Sequence, residues 1–204
     1  MKSLRSCLLV LSSLALAAFA QEEGDPSNGV HSPVIKRLID TRDGQTYKTV
    51  QIGNQVWMAQ NLNYAASRSW CYDDKASNCS RYGRLYEWTT TKQVCPSGWH
   101  VPSVAEWSML MRYVDSATSG TKLKSTNGWS NDGNGTDAYD FTALPAGDRS
   151  SDGRFGGIRY ITYFWSAEGD GDYASGGYFY FSNASMHRFT NVKSNGFSVR
   201  CLEN

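Results

Sequence analysis

The sequence is short of the features on which most enzymes and nucleic-acid binders rely. Charged residues make up only 19%, and twenty Lys and Arg stand against nineteen Asp and Glu. A chain with no basic excess lacks the footprint that phosphate backbones select, so nucleic acid is excluded as a partner. Histidine occurs three times, at His31, His100 and His187. There is no H-E-x-x-H metal motif and no G-x-S-x-G nucleophile turn, and no pair of carboxylates stands out for glycoside chemistry. No catalytic residue is assigned, and the protein is not expected to be an enzyme. Long apolar runs are missing too, with one exception at the start.

That exception reads as an export signal. Lys2 and Arg5 form a basic head, Cys7 to Phe19 is rich in Leu and Ala, and Ala18-Phe19-Ala20 is an A-x-A exit before Gln21. The run falls short of the roughly 20 residues that span a bilayer. Leu4-Arg5-Ser6-Cys7 carries an Arg where a lipobox needs small residues. Residues 1–20 are therefore expected to be cleaved after Ala20, leaving a secreted or cell-envelope protein with no transmembrane segment. Removal takes the chain from 204 to 184 residues and the formal charge from +1 to −1, because Lys2 and Arg5 leave. That length suits one domain. Residues 21–38 are polar and aperiodic, a flexible leader, and the domain is expected over 39–204.

What the chain does have is aromatics, 13% of it, with seven Trp, twelve Tyr and nineteen Gly. This mixture points to a strand- and loop-rich fold whose burial comes from rings. Five cysteines become four once Cys7 departs, and an even number in an exported chain reads as disulfides before metal or catalysis. Three pairings are open. The local pair Cys71–Cys79 with the long pair Cys95–Cys201 is favoured.

Thr46 to Ile52 alternates as a strand does, and Gly53-Asn54 turns it into Gln55-Val56-Trp57-Met58, a hairpin. Asp73, Asp74 and Asn78 place the Cys71–Cys79 loop on the surface. A short helix is expected from Trp88 to Val94. A better one starts at Ser103, where Ser103 and Glu106 form a capping box and Trp107, Leu110, Met111 and Val114 repeat on one face. Tyr163-Phe164-Trp165, Tyr178 to Phe181 and Phe197 to Cys201 read as late strands.

Candidate ligand-binding residues come from these strands. Alternation puts Phe179 and Phe181 on one side and Tyr178 and Tyr180 on the other. With the Phe pair inward, two phenols face out, suited to sugar rings or a protein partner, with Trp165 and Arg188 as neighbours. Asp170 and Asp172, in Glu168-Gly169-Asp170-Gly171-Asp172, could bond sugar hydroxyls or a cation, although a solvated tip is the simpler reading. Trp129 to Asp132 and Asp132-Gly133-Asn134-Gly135-Thr136-Asp137 supply hard oxygen ligands of the kind calcium takes, at close spacing. The second run has Asp137 where an EF-hand loop wants Gly and Ala143 where it wants an acid, so it is read as a polar turn. No cofactor is assigned.

Five segments together resemble a known family. They are Asp43 to Val50, Ile52 to Tyr64 (IGNQVWMAQNLNY), Cys95 to Ser103 (CPSGWHVPS), Phe141 to Gly147 (FTALPAG) and Gly196 to Cys201 (GFSVRC). In that order they resemble the Fibrobacter succinogenes major paralogous domain, from about residue 39 to the end. The resemblance implies an α+β, C-type lectin-like fold: two helices, short antiparallel strands and long loops, stapled by disulfides. It implies that Cys95, after the first helix, pairs with Cys201 in the last strand. The family's biochemical role is undefined. The formylglycine-generating enzymes, a related group, show a run similar to Pro102-Ser103-Val104-Ala105-Glu106-Trp107, but their reactive cysteines find no free counterpart here. The function expected is a secreted, non-enzymatic binding or adhesion domain for polysaccharide or a cell-surface partner. The alternative is a structural module of the cell envelope without sugar affinity.

Overall fold

The structure, a computed structural model, describes residues 35–204. The expected signal at 1–20 and the leader over 21–34 lie outside the described residues. In chain order the elements are β1 (Ile35–Ile39), β2 (Thr46–Ile52), β3 (Gln55–Met58), β4 (Ser69–Trp70), α1 (Ala76–Tyr82), β5 (Leu85–Glu87), α2 (Trp88–Thr91), β6 (Trp99–His100) and α3 (Val104–Tyr113). Then follow α4 (Ser119–Leu123), β7 (Asp148–Arg149), β8 (Phe155–Gly156), β9 (Ile161–Asp170), β10 (Tyr173–Tyr180), β11 (His187–Val192), β12 (Gly196–Phe197) and β13 (Leu202–Glu203). Strands dominate and the helices are short.

Three sheets are built from these strands. The first has the order β1-β2-β3-β13-β6, the second β11-β10-β9 and the third β4-β5-β12-β7-β8. The expected hairpin is β2–β3, with Val50 opposite Trp57 and Ile52 opposite Gln55. The chain's last strand, β13, lies between β3 and β6, with Leu202 facing both Trp57 and His100. Residues 35–38, expected in the leader, instead pair with β2, since Leu38 lies opposite Tyr47 and Lys36 opposite Thr49.

Helix α3 forms as its sequence dictates. The Ser103 hydroxyl accepts from Glu106 N at 3.1 Å, and the Glu106 carboxylate accepts from Ser103 N at 2.7 Å. Glu168 of β9 adds a second cap, its two carboxylate oxygens accepting from Val104 N at 3.0 and 2.9 Å. Trp107, Leu110 and Val114 are buried, and Trp107 meets Trp57 at 4.7 Å and Phe164 at 5.5 Å between ring centroids.

Other expectations need correction. Four α-helices occur among the described residues, not two. The surface loop between Cys71 and Cys79 is helical, a 3-10 turn at Tyr72–Asp74 running into α1. Helix α2 covers only Trp88–Thr91, as a run of β-branched Thr disfavours longer helix. The late strand over Phe197 to Cys201 is divided. Gly196–Phe197 joins the third sheet, Ser198 bridges Phe164, and Leu202–Glu203 joins the first.

Both expected disulfides are present, Cys71–Cys79 and Cys95–Cys201. The long one ties the segment after α2 to the residue before β13. Two apolar clusters fill the interior. One gathers Trp57, Trp107, Phe141, Phe164 and Phe179 around α3. The other gathers Tyr86, Trp88, Trp165, Phe197 and Val199. The sheet β11-β10-β9 contributes to both. Its central Gly176 and Gly177 sit where a Cβ would collide with Phe164 O and with the Met186 side chain, so the strand is pinched between its neighbours.

Candidate functional site

The register of the three-stranded sheet decides which expected residues meet. Gly176 lies opposite Trp165 and Phe189, Gly177 opposite Phe164 and Arg188, and Tyr178 opposite Tyr163 and His187. Cross-strand partners share a face and neighbours along a strand alternate. Tyr163, Trp165, Tyr178, Tyr180, His187 and Phe189 therefore occupy one face. Phe164, Phe179 and Arg188 occupy the other.

This overturns the expected groove. Trp165 is on the tyrosine face but is fully buried, its ring 4.5 Å from Phe197 and its Nε1 donating to Tyr86 O at 2.8 Å. It is a core residue, because the second apolar cluster covers that half of the sheet. Arg188 points to the α3 side, where its guanidinium donates to the Ser108 hydroxyl. Asp170 and Asp172 flank the β9–β10 turn, roughly 20 Å along the strand from Tyr178. Asp170 there accepts from Gly171 N at 2.9 Å. Of the six residues named from sequence, Tyr178 and Tyr180 share the tyrosine face, Asp170 and Asp172 share the exposed turn at its far end, and Trp165 and Arg188 join neither pair.

Around these two a different group assembles. The Tyr178 ring stacks on His187 with centroids 5.4 Å apart and planes at 25°, and meets Tyr163 at 5.6 Å. Tyr163 in turn stacks on Phe197 at 4.6 Å, which fixes the row to the core. Tyr180 packs on Phe181 at 4.7 Å, and Phe181 meets Tyr160 edge-on at 5.6 Å. Tyr163, Tyr178 and Tyr180 are half-buried, while His187 is exposed. The row thus crosses all three strands of the sheet.

One carboxylate attends it. A parallel bridge between Gly147 and Thr162 sets Asp148 of β7 next to Tyr163. Burial pushes the Asp148 carboxyl up to about 6, and no described residue gives it a hydrogen bond or ion pair. The Tyr163 hydroxyl is also pushed up, by burial first and then by Asp148, Tyr178 and Tyr180, so these groups feel one another. Flat rings with hydroxyl rims and an unpaired acceptor can hold the apolar face of a pyranose and its hydroxyl edge. Neither Tyr163 nor His187 was named from sequence for this site, although Tyr163 lies two residues from Trp165 and so on the same side of its strand. For Asp148 there was no local signal.

The loop considered for calcium uses its oxygens internally. Asp137 accepts from Thr142 N and from the Thr142 hydroxyl, both at 2.6 Å, and Asn134 Oδ1 accepts from Trp129 N at 3.0 Å. Burial raises the Asp137 carboxyl against the pull of those hydrogen bonds. Among the described residues no group of three or more His, Cys, Asp or Glu could hold a metal ion, and no helix is long and apolar enough to cross a membrane.

A model of the Fibrobacter succinogenes major domain matches residues 50–203, which include every member of this aromatic site, and the chain belongs to that family. No curated protein and no solved structure matches it.

Proposed function

We propose that this member of the Fibrobacter succinogenes major domain family is an exported, non-enzymatic binding module that recognises polysaccharide across Tyr163, Tyr178, Tyr180 and His187. The observation that carries the reading is the stack of Tyr178 between Tyr163 and His187, left half-open on a face whose other half is core. A row of rings anchored on Phe197 is preorganised, so little side-chain entropy is lost when a ligand lies on it. Asp148 supplies the acceptor that a sugar hydroxyl needs. The two disulfides support an oxidising compartment. The order α2, Cys95, β6, α3 and the bridge to Cys201 support a C-type lectin-like fold.

The experiment is a glycan array with the oxidised chain and its Tyr178→Ala variant, each with and without chelator. The reading expects one polysaccharide class to bind, the variant to lose at least tenfold, and chelator to change nothing. Silence across the array, together with specific capture of one protein partner, would establish an envelope interaction module instead.

A further inference from the structure

A second site lies away from the aromatic face and does not depend on it. A cavity of about 330 Å3 opens between β2, the segment after β3 and helix α1. This falls at the small end of ligand pockets, which run from about 300 to 1,000 Å3. Gln45, Tyr47, Gln60, Asn63, Ser80 and Arg81 give it a wall of carboxamides and hydroxyls with one cation.

Several of these groups have unused hydrogen-bonding capacity. Asn63 Oδ1 is buried and has no partner among the described residues. Such an acceptor carries its full desolvation cost. The Tyr47 hydroxyl accepts from Asn63 N at 3.1 Å, and burial pushes it up to about 12, so it keeps a proton to donate. Gln60 Oε1 accepts from Lys48 N at 2.7 Å, which leaves its amide hydrogens free. Arg81 is exposed and lies 5.1 Å from the Tyr82 ring, with no carboxylate partner among the described residues. The two acids that act on Tyr47 are both engaged, Asp43 by Gln45 at 2.6 Å and Asp40 by Arg42 at 2.6 Å. The cavity therefore offers one permanent cation and several neutral donors, with Asn63 Oδ1 shut behind its wall.

We propose that this pocket binds a hexuronic acid unit of an acidic saccharide, its carboxylate on Arg81 and its hydroxyls on Gln60 and Tyr47. A guanidinium suits a carboxylate in both charge and planar geometry. A lone carboxylate would engage Arg81 but leave the Gln60 amide and the Tyr47 hydroxyl without an acceptor. A neutral sugar would leave Arg81 unpaired.

The test titrates the oxidised chain with trigalacturonate, triglucuronate, cellotriose, acetate and inorganic phosphate, read by calorimetry and by the side-chain amide signals of Gln60 and Asn63. An acidic trisaccharide should move both signals. Its affinity should fall at least tenfold in Arg81→Gln, fall less in Arg81→Lys, and stay unchanged in Tyr178→Ala. Arg81 is exposed, so both substitutions leave the fold intact. The proposal is overturned if neither uronate moves the two signals, if cellotriose, acetate or phosphate moves them as well, or if Arg81→Gln binds like the wild type.

Discussion

The guanidinium of Arg200 donates to the main-chain carbonyl of Phe141 and at the same time lies 4.4 Å from the centroid of that residue's ring. It also donates to Asn61 Oδ1 at 2.8 Å, Thr142 O at 2.7 Å and Met58 O at 3.4 Å, and is completely buried. Burial pushes it down to about 9, so it stays charged at neutral pH. One side chain thus ties the 141–142 segment to the β3 segment. Replacing it leaves four buried acceptors without a donor. Arg200→Met is expected to cost about 3–5 kcal/mol, seen as a lower urea midpoint at unchanged slope.

Trp165 and Tyr178 share a face but should respond oppositely to substitution. Trp165→Phe removes the donor to Tyr86 O and leaves a gap beside Phe197, at a cost of about 2–4 kcal/mol. Affinity for polysaccharide in the folded protein should not change. Tyr178→Ala should cost about 1 kcal/mol, since its ring is already half in water, yet abolish most binding. Equal stability losses in the two variants would contradict this division of the face.

Asp148 sets a pH dependence. Its carboxyl is raised to about 6 by burial, against 3.8 when unperturbed, so the folded state holds a proton that the unfolded state has released. Its contribution to stability is therefore greatest below about pH 4 and is lost as pH rises through about 6. Asp148→Asn carries no such titration. Melting temperatures between pH 4 and 7.5 should show the wild type falling relative to the Asn variant. Parallel curves would mean that the carboxylate is well solvated.

Cys95–Cys201 closes a loop of 106 residues in sequence separation. Opening it by replacing both cysteines with Ala should cost about 4–5 kcal/mol through unfolded-state entropy. Guanidinium unfolding of the double variant, compared with the oxidised chain, measures the loss directly. The Cys71–Cys79 pair, a separation of 8, should cost less, about 2–3 kcal/mol.

Features written locally were legible before the fold was known. The Ser103–Glu106 box and the Trp107, Leu110, Met111, Val114 spacing specify α3 within a dozen residues, and the Gly53 turn specifies the hairpin. The disulfides followed from cysteine count and from family likeness. What failed was long-range. Arg188 falls on the wrong face because its partner is Gly177, and that register depends on the length of the loop after β10. Trp165 is buried by Phe197, which the chain supplies some thirty residues later. Asp148 reaches Tyr163 only through a bridge at Gly147. Gln60 and Asn63 were noticed as part of a family motif, but nothing in the motif shows that Arg81 comes to stand across from them.

Helix α1, which carries Arg81, has only seven residues. A helix this short does not persist by itself in water. The Cys71–Cys79 bridge fastens it at its middle turn, with Arg84 also resting against both sulfurs at 3.7 and 3.5 Å. The uronate pocket is therefore finished by oxidation and not by folding alone. A newly made chain in a reducing interior would hold Arg81 loosely and pass acidic sugars by, and recognition would begin only when the thiols close.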